Sequence, residues 1–351
     1  MRFLFFINHL ADGGAERVAA TLLNHLCEKH EVGLVLFSEK QASFNINPQI
    51  PTQKIIVSGN NKIIKVIRRT SRIRKLIKEI KPDLIITFMV DLSMQVLLAN
   101  CLTSNKLIVS EHITIQAPQS LHRKLTRHIL YRFASRIVFI SESDYNYAKW
   151  ISRKTFIYNP LCYPITSNSH KEKYIVAVGR QKRWNAKGFD MLIQMWSKIA
   201  PLHPDWELQF IGANNDNYIS VLAKSSGLEE RIEFLGWTDE IDKALQTKSI
   251  YVLSSRREGF PCSLIEAMSQ GCACLAFNCK TGPNEIITDG KSGLLARNGD
   301  IDDLANKLEM LINDEQLRLR LSAGAIEEVK RFDKNVFFAE WDKLIEEVAE
   351  N

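Results

Sequence analysis

One strand–helix alternation, written out twice, constrains the fold of this chain more than any other feature. Short, nearly continuous apolar runs at 3–7, 32–37, 54–57, 84–88, 107–110 and 137–140 alternate with stretches of helical periodicity, including 62–81, 93–101, 121–134 and 143–150. A strand apolar on both faces is covered on both sides, which predicts a parallel sheet between two helical layers. The alternation restarts with a strand at 174–178 and continues through 208–211, 232–235, 250–254 and 272–277. Helices at 188–200, 217–226, 239–247 and 261–270 separate these strands, and two more close the run. Between the two series lie Asn159-Pro160, Pro164 and the polar stretch 166–173, a linker composition. The length of 351 residues fits two domains at roughly 100–200 residues each. The reading is therefore α/β, with doubly wound, Rossmann-like domains at 1–165 and 170–335 facing across a cleft at the carboxyl ends of their strands. A last helix carries Val336, Phe337, Trp341, Leu344, Ile345 and Val348 at helical spacing, and its pattern suits packing on either domain.

With 45% apolar and 25% charged residues, the chain is neither disordered nor fibrous. Seven cysteines without a CxxC spacing argue against a disulfide framework or a zinc ribbon and for a reducing compartment. The apolar run at 3–7 is too short for a signal peptide, and Asp91, Ser93, Gln95 and Asn100 interrupt the most apolar stretch, 84–102. The expected location is the cytoplasm, at the inner face of the membrane. Charge supplies the second half of that expectation. Residues 1–167 hold 23 Lys and Arg against 11 Asp and Glu, whereas the remainder is acidic. The cations concentrate in 62–81, where Glu79 is the single acid and isoleucines interleave, and in 121–136, with Arg123, Lys124, Arg127, Arg132 and Arg136. These stretches read either as solvated helix faces or as attachment to an anionic membrane surface. Nucleic acid is not expected, since no recognised motif or aromatic stacking platform accompanies the charge.

The candidate chemistry sits just past predicted strand ends. In Ser254-Ser255-Arg256-Arg257-Glu258-Gly259-Phe260-Pro261-Cys262-Ser263-Leu264-Ile265-Glu266, a strand leads through a glycine loop into a helix with Pro261 in its first turn. The amides of Cys262, Ser263 and Leu264 are expected to be free for an anion, with Glu258 and Glu266 at two depths of one pocket. A carboxylate beside a phosphate site is tolerable where ligand hydroxyls donate to it, as those of sugars and riboses do; the alternative for Glu266 is a surface helix position. The loop 179–188 places Arg180 at a strand end and Lys187 at a helix start, a pair suited to a diphosphate, or simply a solvated basic loop. Asp12-Gly13-Gly14-Ala15-Glu16 allows close backbone approach or just a tight turn, and it is not the GxGxxG of dinucleotide enzymes. His112 and Asp91 follow two other strands of the first domain; His112 suits contact with a substrate hydroxyl or carbonyl, or a structural place, and Asp91 suits capping of the next helix, or contact with an acceptor hydroxyl. Trp237 covers a nucleobase or fills a core, and Glu285 contacts a ligand or caps a segment.

Taken together, Gly13-Gly14-Ala15-Glu16-Arg17, Gly179-Arg180 with Lys187-Gly188, Glu258-x7-Glu266 and Glu285 before Gly293-Leu294-Leu295 resemble the retaining GT-B glycosyltransferases of family 4. The resemblance covers nearly the whole chain. It implies a GT-B fold whose C-terminal helix, 336–351, crosses back to the first domain. It also implies an acceptor held by the first domain and a nucleotide sugar, UDP-linked by family habit, held by the second, with no metal and no further cofactor. Arg180 and Lys187 would bind the diphosphate, Glu258 the donor sugar and Glu266 the ribose, while His112 would touch the transferred sugar. Gly13, Gly14, Glu16, Trp237, Phe260, Pro261, Cys262, Ser263 and Leu264 complete the donor site. The string Ser110-Glu111-His112 and the string Lys280-Thr281-Gly282-Pro283 resemble those of bacterial enzymes building surface polysaccharides or lipid-linked oligosaccharides, with a saccharide or polyprenyl-diphosphate acceptor. The rivals are a nucleotide-sugar epimerase of the same fold and a non-catalytic, basic membrane-binding module.

Overall fold

The apolar runs form two separate parallel sheets in a computed structural model, which describes all residues except Asp12, Leu102, 167–169, Asp216, Asn217 and Asn351. The chain divides into two units, Met1–Asn159 with Asn335–Asn351, and Pro160–Lys334.

In the first unit the order is β1 (Arg2–Ile7), α1 (Gly14–Leu26), β2 (Glu31–Leu36), β3 (Thr52–Lys54), α2 (Lys62–Ile80), β4 (Leu84–Phe88) and α3 (Val90–Asn100). There follow β5 (Lys106–Glu111), α4 (Leu121–His128), a 3-10 turn (Leu130–Phe133), β6 (Arg136–Phe139), α5 (Glu142–Tyr147) and β7 (Lys154–Phe156). The seven strands lie in the order β3-β2-β1-β4-β5-β6-β7, every neighbouring pair parallel. Alternation along β1 shows why its run is continuous. Phe3, Phe5 and Ile7 pack on one face with α1, and Leu4 and Phe6 on the other with α2 and α3.

Three local readings change. The strand expected at 54–57 is Thr52–Lys54, while Ile55 and Val57, beyond the strand, are buried against α2. The α-helix expected over 121–134 ends at His128, and past Ile129 (φ −112°, ψ −54°) the chain continues as the 3-10 turn Leu130–Phe133. That expected at 143–150 stops at Tyr147, where the Lys154 ammonium donates to the carbonyls of Tyr145 and Ala148.

The second unit runs β8 (Glu172–Val178), α6 (Trp184–Lys187), α7 (Phe189–Ile199), β9 (Glu207–Ile211), α8 (Tyr218–Ser225), β10 (Ile232–Gly236), α9 (Ile241–Gln246) and β11 (Lys248–Leu253). It ends with α10 (Cys262–Ser269), β12 (Ala273–Asn278), α11 (Pro283–Ile286), β13 (Leu294–Arg297), α12 (Ile301–Asn313) and α13 (Glu315–Val329). Its parallel strands lie in the order β10-β9-β8-β11-β12-β13. The linker expected at 166–173 and the start of the helix expected at 217–226 fall partly outside the described residues. The final helix, α14 (Lys334–Glu350), returns to the first unit. Its Phe337, Trp341, Leu344, Ile345 and Val348 join the core of α1 and β1, Asp342 meets the His25 imidazole at 2.9 Å, and the Ala349 carbonyl accepts from Lys106.

In both sheets the strand order reverses at the centre, between β1 and β4 and between β8 and β11. Chains leave such a pair of strands in opposite directions and open a crevice at their carboxyl ends.

Candidate functional site

The crevice of the second unit is bounded by the two loops that carry the strongest sequence signals. One follows β8 and contains Arg180 and Lys187; the other follows β11 and contains Glu258. The structure brings the last two into contact: the Lys187 ammonium lies 2.8 Å from Glu258 Oε1. Both side chains are mostly buried, at 19% and 12% exposure, so water screens this pair less than one on the open surface. Ser255 donates to the same oxygen at 2.6 Å, and Oε2 has no protein partner among the described residues. One oxygen of the carboxylate is thus held by two donors, Lys187 and Ser255. Arg180 is half-buried at the end of β8. Gly179 explains how the loop folds over itself, because a Cβ there would stand 2.9 Å from Lys187 Cγ.

A third loop backs the Glu258 segment. Thr281 donates to the Glu258 carbonyl, and the Cys279 thiol donates to that of Ser255 at 2.9 Å. Burial, reinforced by the Glu258 charge, pushes the Cys279 thiol up to about 12, so it stays protonated as a donor. Gly282, at φ +95°, lets this loop pass Pro261, whose Cδ would lie 2.7 Å from an added Cβ.

Helix α10 starts one residue later than expected. Pro261 is its N-cap rather than its first turn, and its carbonyl already accepts from the Leu264 amide at 2.9 Å. Leu264 is therefore not one of the free amides the sequence suggested. The Ser263 hydroxyl pairs with buried Tyr251 Oη at 2.8 Å, and Phe260 is buried edge-on to Phe332. Glu266 is buried, which excludes the surface-helix alternative. Trp237 is more than half exposed, which excludes the core alternative. Cys262 is half-buried.

In the first unit, Gly13 (φ +129°) caps α1 and Gly14 begins it; Asp12 lies outside the described residues. Glu16, in the first turn, lies near His9 at 3.7 Å. His112 follows β5. Its Nε2 hydrogen-bonds Ser110 Oγ at 2.9 Å, its ring stacks on Phe88, and its Nδ1 is buried without a partner among the described residues. Burial lowers its pKa to about 3, so the imidazole is neutral at physiological pH and serves as a hydrogen-bonding group, not as a proton reservoir.

Other residues of this unit differ from their sequence reading. Asp91 does not cap α3. Met89 does, at φ +72°, while Asp91 forms a two-pronged pair with Arg123 and meets His122 at 3.0 Å. A left-handed methionine at the reversal point between β1 and β4 is strained backbone of the kind that collects at functional sites. Arg127, read as one cation of an outward basic stretch, is buried in a two-pronged pair with Glu111, which Tyr131 also meets. Arg123 and Arg136 are likewise paired, with Asp91 and Glu347. What α4 turns outward is Leu121, Leu125, Ile129 and the nearby Phe133, beside Lys124 and Arg132; α2 exposes Ile63, Ile64 and Ile67 among its cations. No helix among the described residues is long and apolar enough to cross a membrane.

Residues 12–160 match the family model described as Glycosyltransferase Family 4, and residues 164–328 the one described as Glycosyl transferases group 1. The chain is 27% identical to a Campylobacter jejuni GalNAc-alpha-(1->4)-GalNAc-alpha-(1->3)-diNAcBac-PP-undecaprenol alpha-1,4-N-acetyl-D-galactosaminyltransferase, over 99% of each protein. It is 26% identical to the amylovoran biosynthesis glycosyltransferase AmsD of Erwinia amylovora, over 98% of this chain and 99% of that protein. Among solved structures, Anabaena Alr3699/HepE in complex with UDP-glucose superimposes with a TM-score of 0.81 at 20% identity, covering 99% of this chain and all of the other.

Proposed function

The chain belongs to glycosyltransferase family 4, and we propose that it moves a hexose or N-acetylhexosamine, with retention, from a UDP-linked donor to a saccharide or polyprenyl-diphosphate-linked acceptor in bacterial polysaccharide or lipid-linked glycan synthesis. The observation that carries the reading is the Lys187–Glu258 pair at the reversal of the second sheet. A diphosphate arriving there competes with Glu258 for the lysine. The carboxylate it releases, with Oε2 already open, accepts from the donor sugar's hydroxyls. Arg180 adds the second cation, Glu266 takes the ribose hydroxyls, Trp237 offers a face to the base, and Phe260, Pro261 and the start of α10 at Cys262 and Ser263 face the phosphates. The undecaprenol-linked relative supports the acceptor class, the amylovoran biosynthesis relative the biosynthetic setting, and the UDP-glucose complex of the structural relative the donor class.

In the chemical step the bond between the anomeric carbon and the phosphate oxygen breaks as the acceptor oxygen bonds on the same face. The acceptor's proton passes to the departing phosphate. Arg180 and Lys187 stabilise the charge that grows on the diphosphate, so the step requires no metal. His112, neutral and with Nδ1 unpartnered among the described residues, hydrogen-bonds the transferred sugar. The outward apolar and basic faces of α2 and α4, within 62–81 and 121–136, rest on an anionic lipid surface and hold the enzyme peripherally at the cytoplasmic side.

Thermal stabilisation by UDP, GDP, ADP and their sugar conjugates tests the donor site. One nucleoside diphosphate should stabilise selectively, and Lys187→Ala should abolish that and raise the transfer barrier by ~2–4 kcal/mol, the scale of a single preorganised donor. A Lys187→Ala enzyme with unchanged turnover would refute the reading, and donor turnover without acceptor would favour the epimerase.

A further inference from the structure

We propose that Arg256 and Asp190 are positioning residues that set where the Lys187 ammonium stands; the inference rests on the donor-site reading above. Three successive carbonyls of the Lys187 loop are taken up by three donors from the segment after β11. The Asn185 carbonyl accepts from Arg256 Nη1 at 2.6 Å, that of Ala186 from the Arg256 amide at 3.0 Å, and that of Lys187 from the Ser254 hydroxyl at 2.9 Å. Arg256 then closes the clamp on the far side of the lysine. Its Nη1 and Nη2 reach Asp190 Oδ1 and Oδ2 at 2.7 and 2.6 Å, in the first turn of α7. Lys187 is thereby held before and behind by one guanidinium.

The joint between them admits no substitute. Gly188 sits at φ +65°, and a Cβ there would lie 1.9 Å from the Ser254 carbonyl oxygen. The clamp therefore ties the 185–190 segment to 254–256, two residues before Glu258. The separation of Lys187 from Glu258 is an output of this lacing, not of either side chain alone. Arg256 acts through the lysine, because three of its side-chain N–H donors are spent on Asp190 and Asn185, on either side of Lys187. A planar fork is suited to this task and an ammonium is not.

The test uses the full chain, measuring UDP release from UDP-sugars with acceptor, stabilisation by UDP, and the unliganded Tm. Asp190→Asn and Arg256→Lys should lower kcat by about 10²-fold, the usual result of misplacing a catalytic group by about 1 Å. Asp190→Glu, which restores a carboxylate, should recover most of that loss. Ser254→Ala, which removes one bond to the Lys187 carbonyl, should cost about fivefold, the worth of one net hydrogen bond. The decisive measurement is the double variant: Lys187→Ala with Asp190→Asn should be no slower than Lys187→Ala alone, since the clamp acts only through the lysine. Multiplicative losses would overturn the inference while leaving the donor site intact. So would an Arg256→Lys enzyme with raised donor KM and unchanged kcat, which would make Arg256 a direct ligand. An unimpaired Lys187→Ala enzyme would overturn both this inference and the reading beneath it.

Discussion

The two sheets share one topology, yet their reversal points are furnished in opposite ways. After β8 and β11 stand a lysine and a glutamate that touch each other and remain reachable, on loops fixed by their backbones. In the first unit the charges past β4 and at the end of the neighbouring β5 are paired with one another: Asp91 with Arg123 and His122, Glu111 with Arg127 and Tyr131. Beside them lies a neutral imidazole, that of His112, whose Nδ1 is buried without a partner among the described residues. A doubly wound sheet guarantees a crevice but not its contents. Here one crevice carries a lysine–glutamate pair and the other a neutral histidine.

The largest expected effect tests whether the first unit's charges are structural. Glu111→Gln leaves the Arg127 guanidinium buried without its counter-charge, so denaturant unfolding should show a loss of about 3–5 kcal/mol. If stability is kept and transfer is lost instead, Glu111 faces substrate and the contrast collapses. In the second unit the corresponding change should act on ligands. Glu258→Gln frees Lys187, so UDP alone should bind tighter, while transfer weakens by about 1.5–3 kcal/mol for the lost charged hydrogen bond to the sugar. Weaker UDP binding in that variant would mean that the carboxylate does not compete with the diphosphate. A smaller effect concerns the outward face of the first unit. Lys124→Glu with Arg132→Glu should reduce partition onto phosphatidylglycerol vesicles by about 1 kcal/mol for each cation lost, without affecting zwitterionic vesicles. Equal binding to both vesicle types would remove electrostatics from the attachment.

How much of this was legible follows from what periodicity encodes. Runs buried on both faces announce a parallel sheet, and both sheets form from the runs the sequence shows, apart from the edge strand β7 (Lys154–Phe156), which no apolar run announces. The loops holding Lys187 and Glu258 were legible as strings, because a strand end, a glycine and a helix start are local features. Their wiring was not. Arg256 and Asp190 are 66 residues apart, and Arg127 and Glu111 belong to different elements. No local pattern announces such a pair. Arg127 differs from its sequence reading for a further reason. Periodicity defines the two faces of α4 but not which one points inward, and the apolar face, with Leu121 and Leu125, is the outer one. The spacing of Arg127 and Tyr131, four apart on one face, was the available signal. Met89 gave none, since nothing in a methionine's identity predicts a positive φ.

The smallest expected effect is none, and it concerns His112. Burial holds its pKa near 3, below the ordinary value of 6.5, so protonation opposes the folded arrangement and the neutral ring persists from pH 8 down through pH 5. If it serves only as a hydrogen-bond partner, its titration contributes no limb to the pH profile of kcat/KM in that range. His112→Gln should therefore lower the rate while preserving the profile's shape, because an amide can bond a hydroxyl but cannot titrate. A wild-type limb near pH 6–7 that vanishes in this variant would show an imidazole exchanging protons during turnover. The first unit would then take part in proton transfer, and the division between a charged crevice and a neutral one would have to be redrawn.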